Sequence, residues 1–277
     1  MRKFFRCSSI GCLGLMGLLI LAGLALYPIG LRKLIRTYPN IPVETVSIPV
    51  NNSDAITHGK HIAIIWSCTK CHGDDLGGKL IYNSTFSGTL PASNLTSGKG
   101  GIATSYTDAD WIRAIRHGVK PNGGVEVLMY NYSALGDRDL GDLLAYLKQL
   151  PPVDSNLPAT HFGVIPPISA ALGLATPAAE TIHQQALHPT QPAFGATIEY
   201  GQYLSPVCTA CHQAKNIGVA LKDWSQNDFI RAFHTGVLPN GNQLNKAMPL
   251  TTYGEMSEEE LTALWLYFHS LRPTSTK

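Results

Sequence analysis

The sequence predicts an all-α protein: an N-terminal transmembrane helix followed by two tandem copies of one small helical domain. Three observations carry this reading. Residues 10–31 form an uncharged apolar stretch. The later chain repeats itself without a gap over fifteen residues. In both copies, capping residues precede apolar positions at helical spacing.

The apolar stretch comes first. Its 22 residues are rich in Leu, Gly, Ile and Ala, and at about 1.5 Å per residue a helix of that length crosses a hydrocarbon core of roughly 30 Å. Arg2, Lys3 and Arg6 precede it and Arg32, Lys33 and Arg36 follow it, so the basic flanks balance and do not set an orientation. The competing reading is a cleaved signal peptide, but the run is longer than the usual ~7–15 residues and no Ala-x-Ala-like site follows it. An uncleaved anchor is favoured. Ser9-Ile-Gly-Cys12 faintly resembles a lipoprotein cleavage box, but the apolar run follows Cys12 instead of preceding it, which argues against lipidation.

The repeat pairs Ala109-Asp-Trp-Ile-Arg-Ala-Ile-Arg-His-Gly-Val-Lys-Pro-Asn-Gly123 with Asn227-Asp-Phe-Ile-Arg-Ala-Phe-His-Thr-Gly-Val-Leu-Pro-Asn-Gly241. Leu140, Leu143, Tyr146, Leu150 and Pro152 align with Leu261, Leu264, Tyr267, Leu271 and Pro273. Thr107 is the expected N-cap of a helix that carries Trp111, Ile112 and Ile115 and stops at Gly118. Its counterpart runs from near Ser225 to near Gly236. A final helix is expected over 137–150, and Ser257-Glu-Glu-Glu260 reads as a capping box opening the matching one. Gly59 and Gly201 are candidates for a close crossing of first and last helices.

The expected domains are therefore 1–36 (transmembrane signal-anchor), 37–52 (linker), 53–153 (first domain), 154–192 (Pro-rich linker) and 193–277 (second domain). The second linker carries Pro158, Pro166, Pro167, Pro177, Pro189 and Pro192, and its apolar part, 162–175, is too short to cross a bilayer. It is expected to drape over one domain or dock on a partner. Charged residues are 14% of the 277 and the formal net charge is +2; no basic block points to nucleic acid and no acidic tail is present.

The chemistry lies in two pentapeptides, Cys68-Thr-Lys-Cys71-His72 and Cys208-Thr-Ala-Cys211-His212, 140 residues apart. The spacing Cys-x-x-Cys-His is that of covalent haem c attachment. Residues i and i+3 lie side by side on a helical turn, so both thiols reach the porphyrin edge, and the following histidine turns a ring nitrogen toward the iron. A zinc site would need a fourth ligand, and no second Cys/His cluster follows at zinc-finger spacing. A redox pair would not require the histidine twice. Two covalently attached haem c groups are expected. Four of the six cysteines are thereby used; Cys7 and Cys12 lie at the membrane end, leaving no disulfide framework. Because haem c is attached outside the cytoplasmic membrane, the expected location is a single-pass anchor with the haem domains on the outer, extracytoplasmic side.

A sixth ligand closes an electron carrier's iron to oxygen, and a thioether raises its potential. Met248, in Ala247-Met-Pro249, and Met129, in Leu128-Met-Tyr130, are the candidates; core gap-filling is the plain alternative for each. His117 and His234 are not at equivalent positions, and neither they nor His58, His61, His161, His183, His188 and His269 are repeated, so surface or helix-end roles are expected. Arg113 and Arg231 are equivalent; a haem propionate is one partner for each and a solvated salt bridge the default. Trp66 and Tyr203 line haem edges or are core.

Asn94-Leu-Thr with a Gly-rich stretch after it, Thr107-Asp-Ala-Asp-Trp, Arg116-His-Gly-Val, a methionine loop and a helix ending Leu150-Pro-Pro together resemble the haem domains of membrane-anchored cytochrome c subunits of bacterial alcohol, aldehyde and gluconate dehydrogenases. The resemblance covers roughly 55–277. It implies two class I cytochrome c domains, with Cys68, Cys71, Cys208 and Cys211 binding haem, His72 and His212 as proximal ligands and Met129 and Met248 as distal ones. It further implies redox protein partners: a dehydrogenase donor and an oxidase or quinone-linked acceptor. Those subunits usually carry three haem motifs where this chain has two, and their Met-Pro is Met129-Tyr130 here. The expected role is a non-enzymatic electron carrier. The alternative is a dihaem enzyme such as a peroxidase, which needs one open haem.

Overall fold

The computed structural model describes residues 2–182 and 187–272, with side chains from Cys12 onward. His183, Pro273 and the side chains of Arg2, Lys3, Arg6 and Cys7 lie outside the described residues.

Helix α1 (Arg2–Leu34) is continuous through Pro28, and its part Cys12–Leu34 is long and apolar enough to cross a membrane. The first half comprises α2 (Ser53–Ile65), α3 (Cys68–His72), β1 (Lys79–Ser84), β2 (Gly88–Ala92), α4 (Asp108–His117) and α5 (Asp137–Leu147). The linker holds β3 (His161–Phe162), α6 (Ile165–Ala171) and α7 (Ala178–Thr181). The second half comprises α8 (Ile198–Leu204), α9 (Pro206–Thr209), α10 (Ala214–Ala220), α11 (Gln226–Thr235), α12 (Leu250–Tyr253) and α13 (Glu258–Ser270).

The capping signals act where the sequence places them. Thr107 and Asp110 form a reciprocal capping box on α4, Ser225 and Asp228 do so on α11, and Ser257 and Glu260 on α13. Gly118 and Gly236 end α4 and α11 in the left-handed conformation. The two candidate crossings are real as well. A Cβ added at Gly59 would sit 2.0 Å from the Asp142 carbonyl oxygen on α5, and one added at Gly201 would sit 1.9 Å from that of Ala263 on α13.

The all-α expectation needs correction. Three strands form an antiparallel sheet in the order β1-β2-β3. The hairpin lies within residues 73–106, a stretch much longer than its counterpart in copy two, so the repeat gives no sign of it. Gly88, at φ +83, lets the chain enter β2 with His161 and Phe162 packed directly against its backbone. The third strand comes from the linker, which pairs Gly88 with Phe162 and Thr89 with His161. The linker thus drapes over the first half.

One apolar core runs through both halves, from Ile62, Trp66, Leu140 and Leu144 to Tyr200, Leu204, Leu261 and Phe268. At the seam, the Trp66 and Tyr203 rings meet edge-on with centroids 5.9 Å apart. The Tyr203 hydroxyl donates to Asp139 Oδ2 at 2.6 Å and accepts from the Gly136 N–H at 3.1 Å. His61 Nε2 lies 2.8 and 2.9 Å from the two oxygens of the buried Glu260 carboxylate.

Gly201→Ala forces α8 and α13 apart and is expected to destabilise the protein by at least about 2 kcal/mol in denaturant unfolding. The His61 pair gives a pH-dependent effect. Its hydrogen bond to Glu260, aided by the charges of Glu260, Glu255 and Asp139, raises the His61 pKa above 6.5 against the opposing effect of burial. The stabilisation is full below about 6.5 and fades as pH rises through the raised value. Thermal unfolding of wild type and His61→Gln should therefore differ by a few degrees, for about 1 kcal/mol, in mild acid and converge in alkali.

Candidate haem sites

Helix α2 ends against the core at Ile65, and Ser67, in the left-handed conformation at φ 65, turns the chain sharply into α3. This turn brings Cys68, Cys71 and His72 into the lining of a cavity of 560 Å³. Met129 contributes to the lining, with Leu95, Ile102, Trp111 and Ile115 supplying apolar wall. The four residues expected to act together on the first haem thus share one space.

The titration behaviour of the first set opposes the redox-pair reading. Burial, with a contribution from Cys71, pushes the Cys68 thiol up to about 12, and burial also raises Cys71. A reactive redox cysteine needs the opposite shift. His72 Nδ1 donates to the Ser93 carbonyl oxygen at 2.7 Å, which leaves Nε2 as the bare acceptor nitrogen. Burial lowers the His72 pKa, only partly offset by that hydrogen bond, so the ring stays neutral, the form that ligates metal. Trp66, which also lines the cavity, has a buried Nε1–H with no hydrogen-bond partner among the described residues.

The second set is more open. Pro206 starts α9, which carries the buried Cys208; burial pushes its thiol up to about 12. Cys211 and His212 are exposed at the turn that follows. Met248 is half-buried against the common core, and Pro249 is the N-cap of α12.

Two tyrosines absent from the expected site stand behind these sets. Tyr132 donates to the Trp66 carbonyl at 3.1 Å and Tyr253 to the Val207 carbonyl at 2.8 Å, each just upstream of the first cysteine of its half. The signal lies in the repeat, because the alignment of Leu140 with Leu261 also pairs Tyr132 with Tyr253. Tyr253 additionally accepts from Ser67 Oγ at 3.4 Å across the seam.

Other expectations divide. Arg113 and Arg231 pair with Asp110 and Asp228 one turn back, each at 2.8 Å, the default reading. The sequence puts His117 at a surface or helix end; it does end α4, but it is fully buried with Nε2 2.7 Å from Glu44 Oε1. The buried Arg116 donates to the other Glu44 oxygen at 3.0 Å and to Asp137 at 2.5 Å. The 37–52 linker supplies this carboxylate, so that segment takes part in enclosing the histidine.

The chain is similar to two proteins of known role. It is 29% identical over 128 residues to the fructose dehydrogenase cytochrome subunit of Gluconobacter japonicus, covering 43% of this chain and 26% of that protein. It is 31% identical over 108 residues to the gluconate 2-dehydrogenase cytochrome c subunit of Pantoea cypripedii, covering 29% of this chain and 24% of that one. The chain thus spans about a quarter of the length of these relatives. No protein-family profile matches it. The resemblance to dehydrogenase cytochrome subunits read from the residues is shown by these similarities.

Tyr132→Phe and Tyr253→Phe each remove one donor to a carbonyl at the root of a cysteine turn. Each is expected to cost about 1 kcal/mol in denaturant unfolding, and the double variant about twice that.

Proposed function

We propose that this chain is a membrane-anchored dihaem c-type cytochrome that passes single electrons between a dehydrogenase and a respiratory acceptor. The observation that carries the reading is the cavity with Cys68, Cys71 and His72 on its wall and Met129 in its lining. Haem c supplies a one-electron iron couple when bound. Cys68 and Cys71 would hold the first group by thioethers, His72 by Nε2 and Met129 by its sulfur. Cys208, Cys211, His212 and Met248 would take the same roles in the second half. The surrounding apolar wall keeps water from the first group and favours the ferrous state. Trp66 Nε1–H offers a donor to a propionate. In this reading residues 53–153 and 193–277 are two class I cytochrome c domains.

The names of the two relatives support a dehydrogenase as donor, and an oxidase or quinone-linked protein is the acceptor class. The apolar helix Cys12–Leu34 supports an anchor, with the haem domains on the extracytoplasmic side, where haem c is attached. Electron transfer needs no substrate bond to be made or broken, and the protein supplies position and electrostatics.

The test is spectroscopic. Alkaline pyridine treatment of purified protein should give two haems per chain, with the pigment retained through acid-acetone extraction. Met129→Ala and Met248→Ala should each remove part of the weak far-red band of iron–methionine ligation and lower the potential of one haem. A single haem per chain, or ready carbon monoxide binding to one haem of the reduced wild type, overturns the dihaem carrier.

A further inference from the structure

The linker between the halves carries an apolar surface that electron transfer does not use. Residues 162–179 contain no charge. Their helix α6 packs on the last part of α1 so closely that a Cβ at Gly30 would lie 1.6 Å from the Pro167 carbonyl oxygen and 2.9 Å from the Ala171 nitrogen. Deeper along α1, Ile168 Cδ1 lies 3.9 Å from where a Cβ on Gly23 would be. Gly23 and Gly30 lie about two turns apart, on the α1 face turned inward, with Leu26 and Tyr27 between them. Small residues on such a face are the means by which helices approach closely within a membrane. At about 1.5 Å per residue, Gly23 lies roughly 16 Å from Leu34, near the middle of the Cys12–Leu34 span.

The two ends of α6 are left bare. Val164 at its N-cap, Ile165 in its first turn, and Leu172 and Leu174 at and just past its C-cap are exposed, Leu174 at 77%. Beside them stands Phe86 at the tip of the β1–β2 hairpin, 65% exposed. The hairpin tip and α6 are fastened by the Ile165 N–H donating to the Phe86 carbonyl at 3.0 Å and the Gly163 N–H to that of Ser87 at 3.3 Å. The first charge after this stretch, Glu180, pairs with Lys33 at the end of α1 at 3.1 Å. The charges of both segments therefore resume at one level, where each would leave an apolar layer.

We propose that α6 and the hairpin tip lie in the bilayer leaflet next to the haem domains, with Phe86, Val164, Ile165, Leu172 and Leu174 against lipid. The linker is then a second membrane contact. The inference rests on the anchor reading of α1 and gives it a consequence: the first half is held at the membrane face. Leu34 and Ile35 line the cavity that holds Cys68 and His72, so that cavity opens beside the bilayer. The occupant is lipid because the bare face continues the lipid-facing flank of α1.

The experiment uses the full chain with both haems, Cys7 and Cys12 replaced by Ser, reconstituted at low density in vesicles of radiolabelled phosphatidylcholine. Single cysteines replace Leu174, Phe86, Leu18 in mid-α1 and Val219 on the exposed face of α10, each coupled to a benzophenone and photolysed. Labels at Leu174 and Phe86 should capture lipid as Leu18 does, roughly ten-fold more than Val219, as expected for apolar groups at the headgroup–acyl boundary. If Leu18 captures lipid while Leu174 and Phe86 behave like Val219, the inference is overturned and the anchor stands. If Leu18 captures none, the anchor falls and the inference with it. A chain-to-chain adduct at Leu174 assigns the face to a second copy and also overturns it.

Discussion

Everything near the two cysteine turns depends on backbone touching backbone at Gly59 and Gly201. In each half the first helix lies against the last at a distance that leaves no room for a side-chain carbon, 2.0 Å from Asp142 O in one case and 1.9 Å from Ala263 O in the other. That approach fixes where the first helix ends, and the cysteine turn begins within a few residues of that end: Ile65 to Cys68, and Leu204 to Cys208. Tyr132, in the loop before α5, and Tyr253, at the end of α12 before α13, then tie the connecting carbonyls back. The thiols and the histidine are thereby placed by rigid parts, which a site held to a definite geometry requires.

The two halves share this scaffold and differ in what covers it. The first is wrapped by both linkers. Glu44 from the anchor side accepts from Arg116 and pairs with His117, and the second linker contributes β3 beside the hairpin. Removing any member of a buried charge group leaves the others desolvated without compensation, so Glu44 and its partners act as one lock on the first half. Copy two has His234 and Thr235 at the corresponding place, both exposed. The consequence shows in the histidines: His72 is hydrogen-bonded and desolvated, whereas His212 faces solvent.

What the sequence makes legible is what neighbouring residues decide among themselves. The caps at Thr107, Ser225 and Ser257 involve partners three residues away, and the two pentapeptides are complete within five residues. The glycine crossings are half-readable: the repeat of Gly59 as Gly201 ahead of each cysteine pair fits either a close crossing or an ordinary helix start, and the contacts with Asp142 and Ala263 decide for the crossing. The strands are not readable. Residues 79–84 gain a sheet only by meeting Gly88–Ala92 and then His161–Phe162 from the far linker. His117 is misplaced for the same reason, since its enclosure depends on a glutamate 73 residues upstream. The expectation for Trp66 and Tyr203 leaves two readings open, and the shared core holds both rings while Trp66 also lines the cavity.

The seam between the halves bears on how the two sites work together. A cleft of 420 Å³ is lined by Met129, Tyr130 and Tyr132 from the first half and by Thr209 and Ala210 from the second, with Trp66 and Tyr253 in the same lining. Thr209 begins the two-residue spacer of the second cysteine pair, and Met129 is the proposed distal ligand of the first. On the proposed reading, this cleft is therefore lined by residues bonded to, or adjacent to, each haem. The Trp66–Tyr203 contact and the His61–Glu260 pair hold this arrangement from behind. A carrier with two centres gains from such a joint because a fixed separation makes the internal step the same in every cycle. One core runs through both halves by way of Trp66, Tyr203 and Leu204, so on the proposed reading the separation would not be left to the 154–192 linker alone.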